Sequence, residues 1–208
     1  MENLALIGTV TFIHLLAVIS PGPDFIVAVR NSLTYSRRTG IFTAIGFGMG
    51  IAVHIIYCAA GLALIIFKSI LLFNAMKFLG AAYLIYIGIK SLRSKSSKIE
   101  IGEHAQKSDI STLSAIRMGF LTNVLNPKAT LLFLSLFTFV ISPETPLSIL
   151  LIASAIMIIN TSLWFILVAI FLTQKRIRSI FERFQNAFNK TFGAILIALG
   201  VKIAISQK

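Results

Sequence analysis

Long apolar stretches that carry almost no charge constrain this chain more than any other feature of its sequence. Of its 208 residues, 57% are hydrophobic and only 12% are charged, whereas a soluble globular domain has roughly 25% charged residues. A transmembrane helix needs about 20 mostly apolar residues to cross the hydrocarbon core of a bilayer. Six stretches qualify, some of them loosely, at residues 3–20, 41–67, 74–92, 116–141, 146–173 and 187–205. The sequence therefore predicts an all-α polytopic membrane protein, with residues 1–208 forming a single transmembrane domain.

The third and sixth stretches are the weakest of the six. Lys77 and Lys190 lie near their starts, and Lys202 lies near the end of the last one. Long side chains at helix ends can extend to the interface, so these lysines do not exclude a span. Residues 175–188 have apolar side chains at three- and four-residue steps with basic residues between them, which is typical of a helix lying in the interface. A five-span protein with one segment on the membrane surface is therefore the alternative.

The positive charge of the chain indicates its orientation in the membrane. Its 19 Lys and Arg against 7 Asp and Glu give a net charge of +12, which in a soluble protein would suggest nucleic acid. Here the apolar stretches carry almost none of this charge, and 14 of the 19 basic residues lie in or beside the first, third and fifth loops. The positive-inside rule places these odd loops in the cytoplasm and both termini outside. The expected partners are thus membrane lipids and not nucleic acid.

Two proline-containing segments interrupt the apolar stretches. Residues 20–24, Ser-Pro-Gly-Pro-Asp, end the first stretch, and residues 126–128, Asn-Pro-Lys, divide the fourth. Proline lacks an amide hydrogen and its ring clashes with the carbonyl four residues earlier, so Pro21 and Pro127 deprive two carbonyls of their usual partners. In lipid, such backbone is tolerated only where it is buried in protein or lines a wet cavity. We therefore predict that helices 1 and 4 are broken, and we expect the site near the breaks.

The two breaks predict an internal repeat. A shift of 106 residues places Pro21 on Pro127 and residues 41–67 on 147–173, which is nearly the fifth span. With three spans in each half, the repeats at about 1–92 and about 116–208 would lie in opposite orientations, joined by a cytoplasmic loop at about 93–115. Inverted repeats with discontinuous helices are an architecture of secondary transporters. Two proline kinks in an ordinary helix bundle are the alternative.

Four motifs resemble the LysE/RhtB amino-acid exporters, also called the lysine exporter and homoserine/threonine efflux family. They are Ser20-Pro-Gly-Pro-Asp-Phe25, Gly46-x-Gly-x-Gly50-x-x-x-His54, Lys77-x-x-Gly-Ala-Ala-Tyr-Leu84 with Gly88, and Gly119-Phe-Leu-Thr-Asn-Val-Leu-Asn-Pro-Lys-Ala129. They lie in the family's order and spacing, so the resemblance covers essentially the whole chain. It implies an inner-membrane exporter of amino acids or their analogues that is driven by the proton gradient, needs no cofactor and is not an enzyme. A homodimer is one expected form of its assembly.

An amino-acid zwitterion needs an anion or acceptor for its ammonium and donors for its carboxylate. Asp24 is the only acidic residue near the apolar core; it could meet an ammonium or a proton, or it could cap a helix beginning near Phe25. Lys128 is the one cation well inside a predicted span, so we expect it to pair with Asp24 or with a substrate carboxylate. His54, midway along the second span, could relay a proton, bind substrate or join two helices by a hydrogen bond.

The candidate site combines the two breaks with the polar residues near them. The residues that we predict to bind or move the substrate are Pro21, Gly22, Pro23, Asp24, His54, Asn123, Asn126, Pro127 and Lys128. Three glycines are interpreted as close helix contacts, namely Gly46, Gly50 and Gly80. His14 is a weaker candidate for the roles of His54, and Asn160 and Trp164 could line a cavity or simply pack. No cluster of metal ligands is recognisable in the sequence.

Three other functions compete with amino-acid export. Two half-helices broken at proline are similar to the paired re-entrant loops of aquaporin-like pores, so a channel for a small polar solute is one alternative. A metal-cation exporter of a related fold is another, although one intramembrane carboxylate without a His or Cys cluster is a poor site for a hard cation. An intramembrane enzyme is disfavoured because no Ser and His pair lies in a recognisable nucleophile motif.

Overall fold

The structure, a computed structural model, describes residues 2–68, 70–93, 108–141, 144–171 and 173–205. Its regular elements in these ranges are all α-helices, which confirms the predicted all-α class. They are α1 (Glu2–Ile19), α2 (Pro23–Thr34), α3 (Arg37–Lys68), α4 (Ile70–Arg93), α5 (Thr112–Val124), α6 (Pro127–Phe139), α7 (Leu147–Phe171) and α8 (Lys175–Ile205). Most of the predicted cytoplasmic loop, residues 94–107, lies outside the described ranges.

Two pairs of consecutive helices are sharply bent. The helix directions change by 55° between α1 and α2 and by 58° between α5 and α6. In the first bend Gly22 is an extended N-cap followed by Pro23, and in the second Asn126 is an extended N-cap followed by Pro127. Proline suits the first position of a helix because the amide hydrogen that it lacks would have no partner there, and it forces the preceding residue out of the helical region. We call the segments of residues 20–24 and 123–128 the first and the second bend.

The count of six spans is not confirmed. Two helices of the described chain are long and apolar enough to cross a membrane singly, over Arg37–Gly61 and Leu147–Phe171. Each bent pair adds one span if its two helices are counted together, which gives up to four. Within the described residues, α4 and α8 do not meet this criterion of length and composition. They correspond to the third and sixth predicted spans, whose charged ends already weakened that prediction.

α8 differs from the two elements predicted for this region. The pattern predicts an interfacial helix over residues 175–188 and a separate span from residue 187, but the structure has one continuous helix of 31 residues. No proline or glycine occurs between residues 175 and 192, so nothing in the local sequence ends the helix at that junction. α8 packs along α4 at glycines: a Cβ on Gly193 would lie 2.6 Å from the carbonyl oxygen of Gly88.

α3 packs against both α5 and α7 and so lies at the centre of the helix arrangement. Its contact with α5 depends on glycine, because a Cβ on Gly46 would overlap the carbonyl oxygen of Ile116, and a Cβ on Gly119 would overlap that of Thr43. Small residues allow such close backbone approach, which is how helices associate in lipid, where burial of apolar surface gives little driving force. This contact holds the second bend against α3. Gly80 lies in α4, and its predicted helix contact lies outside what the structure describes.

A polar contact joins the start of α3 to the segment before α5. The hydroxyl of Ser36 donates to Oδ2 of Asp109 at 2.8 Å, and the hydroxyl of Thr39 donates to Oδ1. These two hydrogen bonds hold the pKa of the Asp109 carboxyl below its usual range. Asp109 is exposed, and its contacts connect the two halves of the chain beside the first turn of α3.

Candidate functional site

A small cavity lies between the two bends. Its volume is about 40 Å³, which suits water molecules and is too small for an amino acid. Its walls come from α1, both bent pairs, α3 and α7. The polar residues that line it are His14, Ser20, Asp24, Asn123, Asn126, Lys128 and Thr161. Five of these residues lie in or beside the proline-containing segments. The other two, His14 and Thr161, come from α1 and α7.

Asp24 contacts the opposite half of the chain. Its side chain is only 9% exposed, and its Oδ2 accepts a hydrogen bond of 2.7 Å from Nδ2 of Asn123, in the last turn of α5. The alternative prediction, that Asp24 caps a helix beginning near Phe25, is wrong. α2 begins earlier, at Pro23, with Gly22 as its N-cap and no side-chain capping bond. Asp24 is therefore in the first turn of α2, where the helix dipole favours a carboxylate.

Lys128 reaches from the second bend to the first. Its Nζ donates a hydrogen bond of 2.6 Å to the carbonyl oxygen of Ser20, at the end of α1. Its stem passes over Gly22, where a Cβ would lie 3.3 Å from the lysine Cδ. The backbone amide of Lys128 donates at 3.0 Å to the side chain of Asn126, which caps α6. Lys128 and Asp24 also interact through their charges, so opposite charges from the two bends act within one small site.

His54 contacts the second bend from α3. Its Nε2 lies 3.0 Å from the carbonyl oxygen of Asn123, and its Nδ1 lies 2.6 Å from the hydroxyl of Tyr57. A carbonyl can only accept, so Nε2 carries the hydrogen and Nδ1 accepts from the tyrosine. The Asn123 carbonyl is the one that Pro127 cannot bond within the helix. His54 is absent from the cavity lining in the described structure, and this geometry favours the predicted hydrogen bond between helices over contact with substrate.

His14 and Thr161 add a second polar group to the cavity. His14 is 0% exposed, and its Nε2 lies 3.4 Å from the hydroxyl oxygen of Thr161. The ring of Phe133 meets the imidazole edge to face, with centroids 5.6 Å apart. Nδ1 of His14 has no hydrogen-bond partner among the described residues. This group comes from α1 and α7, away from the bends.

Two lining residues of α7 do not stand out in the sequence. The predicted candidates of this helix are Asn160 and Trp164, whereas Thr161 and Phe165 line the cavity, each one position later in the chain. One residue turns a helix by about 100°, so the side chains face different neighbours. α7 is apolar on almost every side, and no periodicity in its sequence indicates which side faces the cavity.

The remaining predicted residues shape the bends. Pro23 and Pro127 are the first residues of α2 and α6, and Pro21 lies in the first bend. Gly50 faces the second bend, where a Cβ would lie 2.5 Å from Oδ1 of Asn123.

The N-termini of α2 and α6 both lie at the cavity and carry partial positive charge. Asp24 is the one acidic residue in the described lining.

Over most of its length the chain is similar in sequence to known membrane proteins. Residues 15–207 match the family model of the LysE type translocators. The uncharacterized membrane protein YrhP of Bacillus subtilis (strain 168) is 30% identical, over 91% of this chain and 93% of its own length. The threonine efflux protein of Escherichia coli (strain K12) is 28% identical, over 98% of this chain and 100% of its own. No solved structure matches the chain.

The residues that match the family model include both bends and every polar residue of the cavity except His14. Proteins of this family are membrane transporters and not enzymes, which confirms the resemblance read from the four motifs. A multi-pass efflux protein of the inner membrane is consistent with the apolar helices of the structure. This chain belongs to the family of LysE type translocators.

Proposed function

We propose that this translocator exports a small amino acid and binds it as a zwitterion between the two bends. The observation that carries the proposal is that Asp24 and Lys128, which come from opposite bends, line the same cavity. In this proposal Asp24 receives the substrate ammonium. Lys128 receives the carboxylate, helped by the positive N-termini of α2 and α6.

Substrate binding would replace contacts that the protein now makes with itself. Asp24 accepts from Asn123, and Lys128 donates to the carbonyl of Ser20. Since the cavity of about 40 Å³ is too small for an amino acid, substrate binding requires the cavity to widen. Opening would separate the two bends, and the substrate's own charged groups would then offset the loss of these hydrogen bonds.

The order of helices supports the proposal of two inverted repeats. In each half a bent pair is followed by two long helices, α3 and α4 in the first and α7 and α8 in the second. The shift of 106 residues that aligns the prolines carries α3 onto residues 143–174, a range that contains α7. We propose six spans in this arrangement, with the odd loops in the cytoplasm and both termini outside.

Threonine is the first cargo to test, because a relative that matches 98% of this chain carries the name threonine efflux protein. We also propose that export is coupled to the proton gradient. Asp24 supports this, since it is the acidic group in the described lining and so the carboxyl that can exchange a proton with the cavity.

Counterflow in proteoliposomes tests the proposal. A panel of labelled threonine, serine, alanine, lysine and valine is offered with and without a pH gradient. We expect saturable exchange of at least one of them and faster net flux when the gradient is imposed, with Asp24→Asn inactive. Thr138→Val is the matched control, since the Thr138 hydroxyl bonds within its own helix, to Leu134, outside the cavity.

Each alternative has its own signature in this experiment. Flux that does not saturate and shows no counterflow would indicate a channel. Exchange at the same rate with and without a pH gradient would contradict proton coupling but not amino-acid export. Failure of every amino acid on the panel would overturn the assignment of cargo.

A further inference from the structure

We propose that His14 and Thr161 form the subsite that recognises the substrate's side chain, and that this subsite selects a hydroxyl-bearing side chain over an apolar one of similar size. The proposal rests on the proposed function, because it assumes that an amino acid occupies the cavity. It assigns a role to two polar residues that the binding of the charged groups does not use.

The first observation is an unsatisfied polar atom at the cavity. His14 lines the cavity and is completely buried, and its Nδ1 has no partner in the part of the chain that the structure describes. Burying a ring nitrogen without a hydrogen bond is unfavourable, so such an atom needs a reason to be retained. Its neighbour Thr161 is held only loosely, at 3.4 Å from Nε2. Both residues can therefore exchange partners with a ligand.

The chemistry of the imidazole favours a hydroxyl. In either neutral tautomer a histidine has one donor nitrogen and one acceptor nitrogen, and Nδ1 can be either of them. A hydroxyl both donates and accepts, so it satisfies Nδ1 in both tautomers. An ammonium only donates and an ionised carboxylate only accepts, and in our proposal these groups go to Asp24 and Lys128.

The surroundings suit a short side chain. The lining next to this polar pair is apolar and includes Phe133, Phe165 and Val18. His14 precedes Ser20 by six residues on α1, which is about 9 Å along the helix axis. The side-chain subsite is thus separate from the charged groups at the bends, while the imidazole reaches back into the same cavity.

Competition between amino acids that differ by a hydroxyl tests the inference. Labelled alanine is exchanged in proteoliposomes against unlabelled threonine or valine, which have nearly the same shape. We expect threonine to compete about tenfold better than valine in the natural protein, as one buried hydrogen bond allows. Thr161→Val and His14→Phe should bring this ratio close to one. Thr161→Ser, which keeps the hydroxyl, should retain most of it, and Thr138→Val should leave it unchanged.

The outcomes separate this inference from the proposed function. If the natural protein exchanges alanine but does not distinguish threonine from valine, the subsite is wrong and amino-acid export stands. An unchanged ratio in Thr161→Val would also overturn it, and so would loss of alanine exchange in Thr161→Ser, because that residue would then serve transport in general. If the natural protein exchanges no amino acid at all, the proposed function fails and this inference fails with it.

Discussion

The first and the second bend share a backbone plan but carry opposite chemistry. In each, an extended cap residue precedes a proline that opens the next helix. At the first bend the cap is Gly22, without a side chain, and the residue after the proline is the acid Asp24. At the second the cap is Asn126, which bonds its own helix, and the residue after the proline is Lys128.

The two bends also differ in the contacts that hold their shape. An asparagine cap stabilises a helix start by about 1 kcal/mol, so the second bend holds its own shape. The first bend lacks that bond and is held from the other half, by Lys128 on the carbonyl of Ser20 and by Asn123 on Asp24. We therefore expect the first bend to move more readily when substrate enters.

The largest expected effect is on transport, and it tests whether the two opposite charges act as a pair. Asp24→Asn and Lys128→Gln should each lower export at least about 100-fold, because each leaves a charge in the cavity without its counterpart. The measurement is counterflow of labelled threonine or alanine in proteoliposomes. If Asp24→Asn abolished export while Lys128→Gln left it intact, the paired site would be wrong.

The next effect is on stability, and it concerns the packing of α3 against α5, which supports the second bend and not the first. Gly46→Ala should destabilise the protein by about 1–3 kcal/mol, because the added Cβ would overlap the carbonyl of Ile116 and push α5 away from α3. Thermal denaturation in detergent measures this. Gly8→Ala is the matched control, since nothing lies within 4 Å of a Cβ there. Equal melting temperatures for the two variants would contradict the close contact between α3 and α5.

A smaller effect should follow from His54→Phe, which removes both hydrogen bonds of the imidazole. We expect a loss of about 0.5–1.5 kcal/mol of stability, because the Asn123 carbonyl loses the imidazole as a donor but still accepts a hydrogen bond from the backbone amide of Asn126. Export should fall in parallel, through the displaced Asn123, while the preference for threonine over valine persists. A changed preference would show that His54 contacts the substrate, contrary to its place outside the described cavity lining.

The smallest effect concerns the contact between the halves outside the bends. Because the folded pKa of Asp109 is lowered, its contribution to stability is present above the ordinary carboxyl pKa of about 3.9 and is lost as pH falls through the folded value. Asp109→Asn should therefore melt slightly earlier than the natural protein at pH 7, and the difference should vanish in strong acid. A difference independent of pH would contradict the role of the charged carboxylate.

Much of the helix arrangement follows from local rules. Proline at positions 23 and 127 suits the first position of a helix, and the helices α2 and α6 begin there. The limits of α8 could not be predicted in the same way. Its first half is amphipathic and its second half is more apolar, so the change of pattern predicts a boundary between two helices. No residue there ends the helix, and α8 is continuous. The same mixed composition explains why α8 is not counted among the spans.

The candidate site was only partly predictable. Asp24, Asn123, Asn126 and Lys128 stand out in the sequence because polar residues beside a proline inside an apolar stretch are unusual, and the structure places all four at one cavity. Thr161 does not stand out, since a threonine is common in a membrane helix and often bonds its own backbone. His54 stands out as strongly as Asp24, yet both of its nitrogens bond to protein.

The class of protein, its family and the places where the chain bends can be predicted from the sequence, because hydropathy, motif spacing and proline act locally along the chain. Which residues meet depends on how the helices pack: Asn123 meets Asp24, Lys128 the Ser20 carbonyl, His54 the Asn123 carbonyl, and His14 meets Thr161. Lipid and protein interior are equally apolar, so the pattern along a membrane helix does not show which side faces another helix.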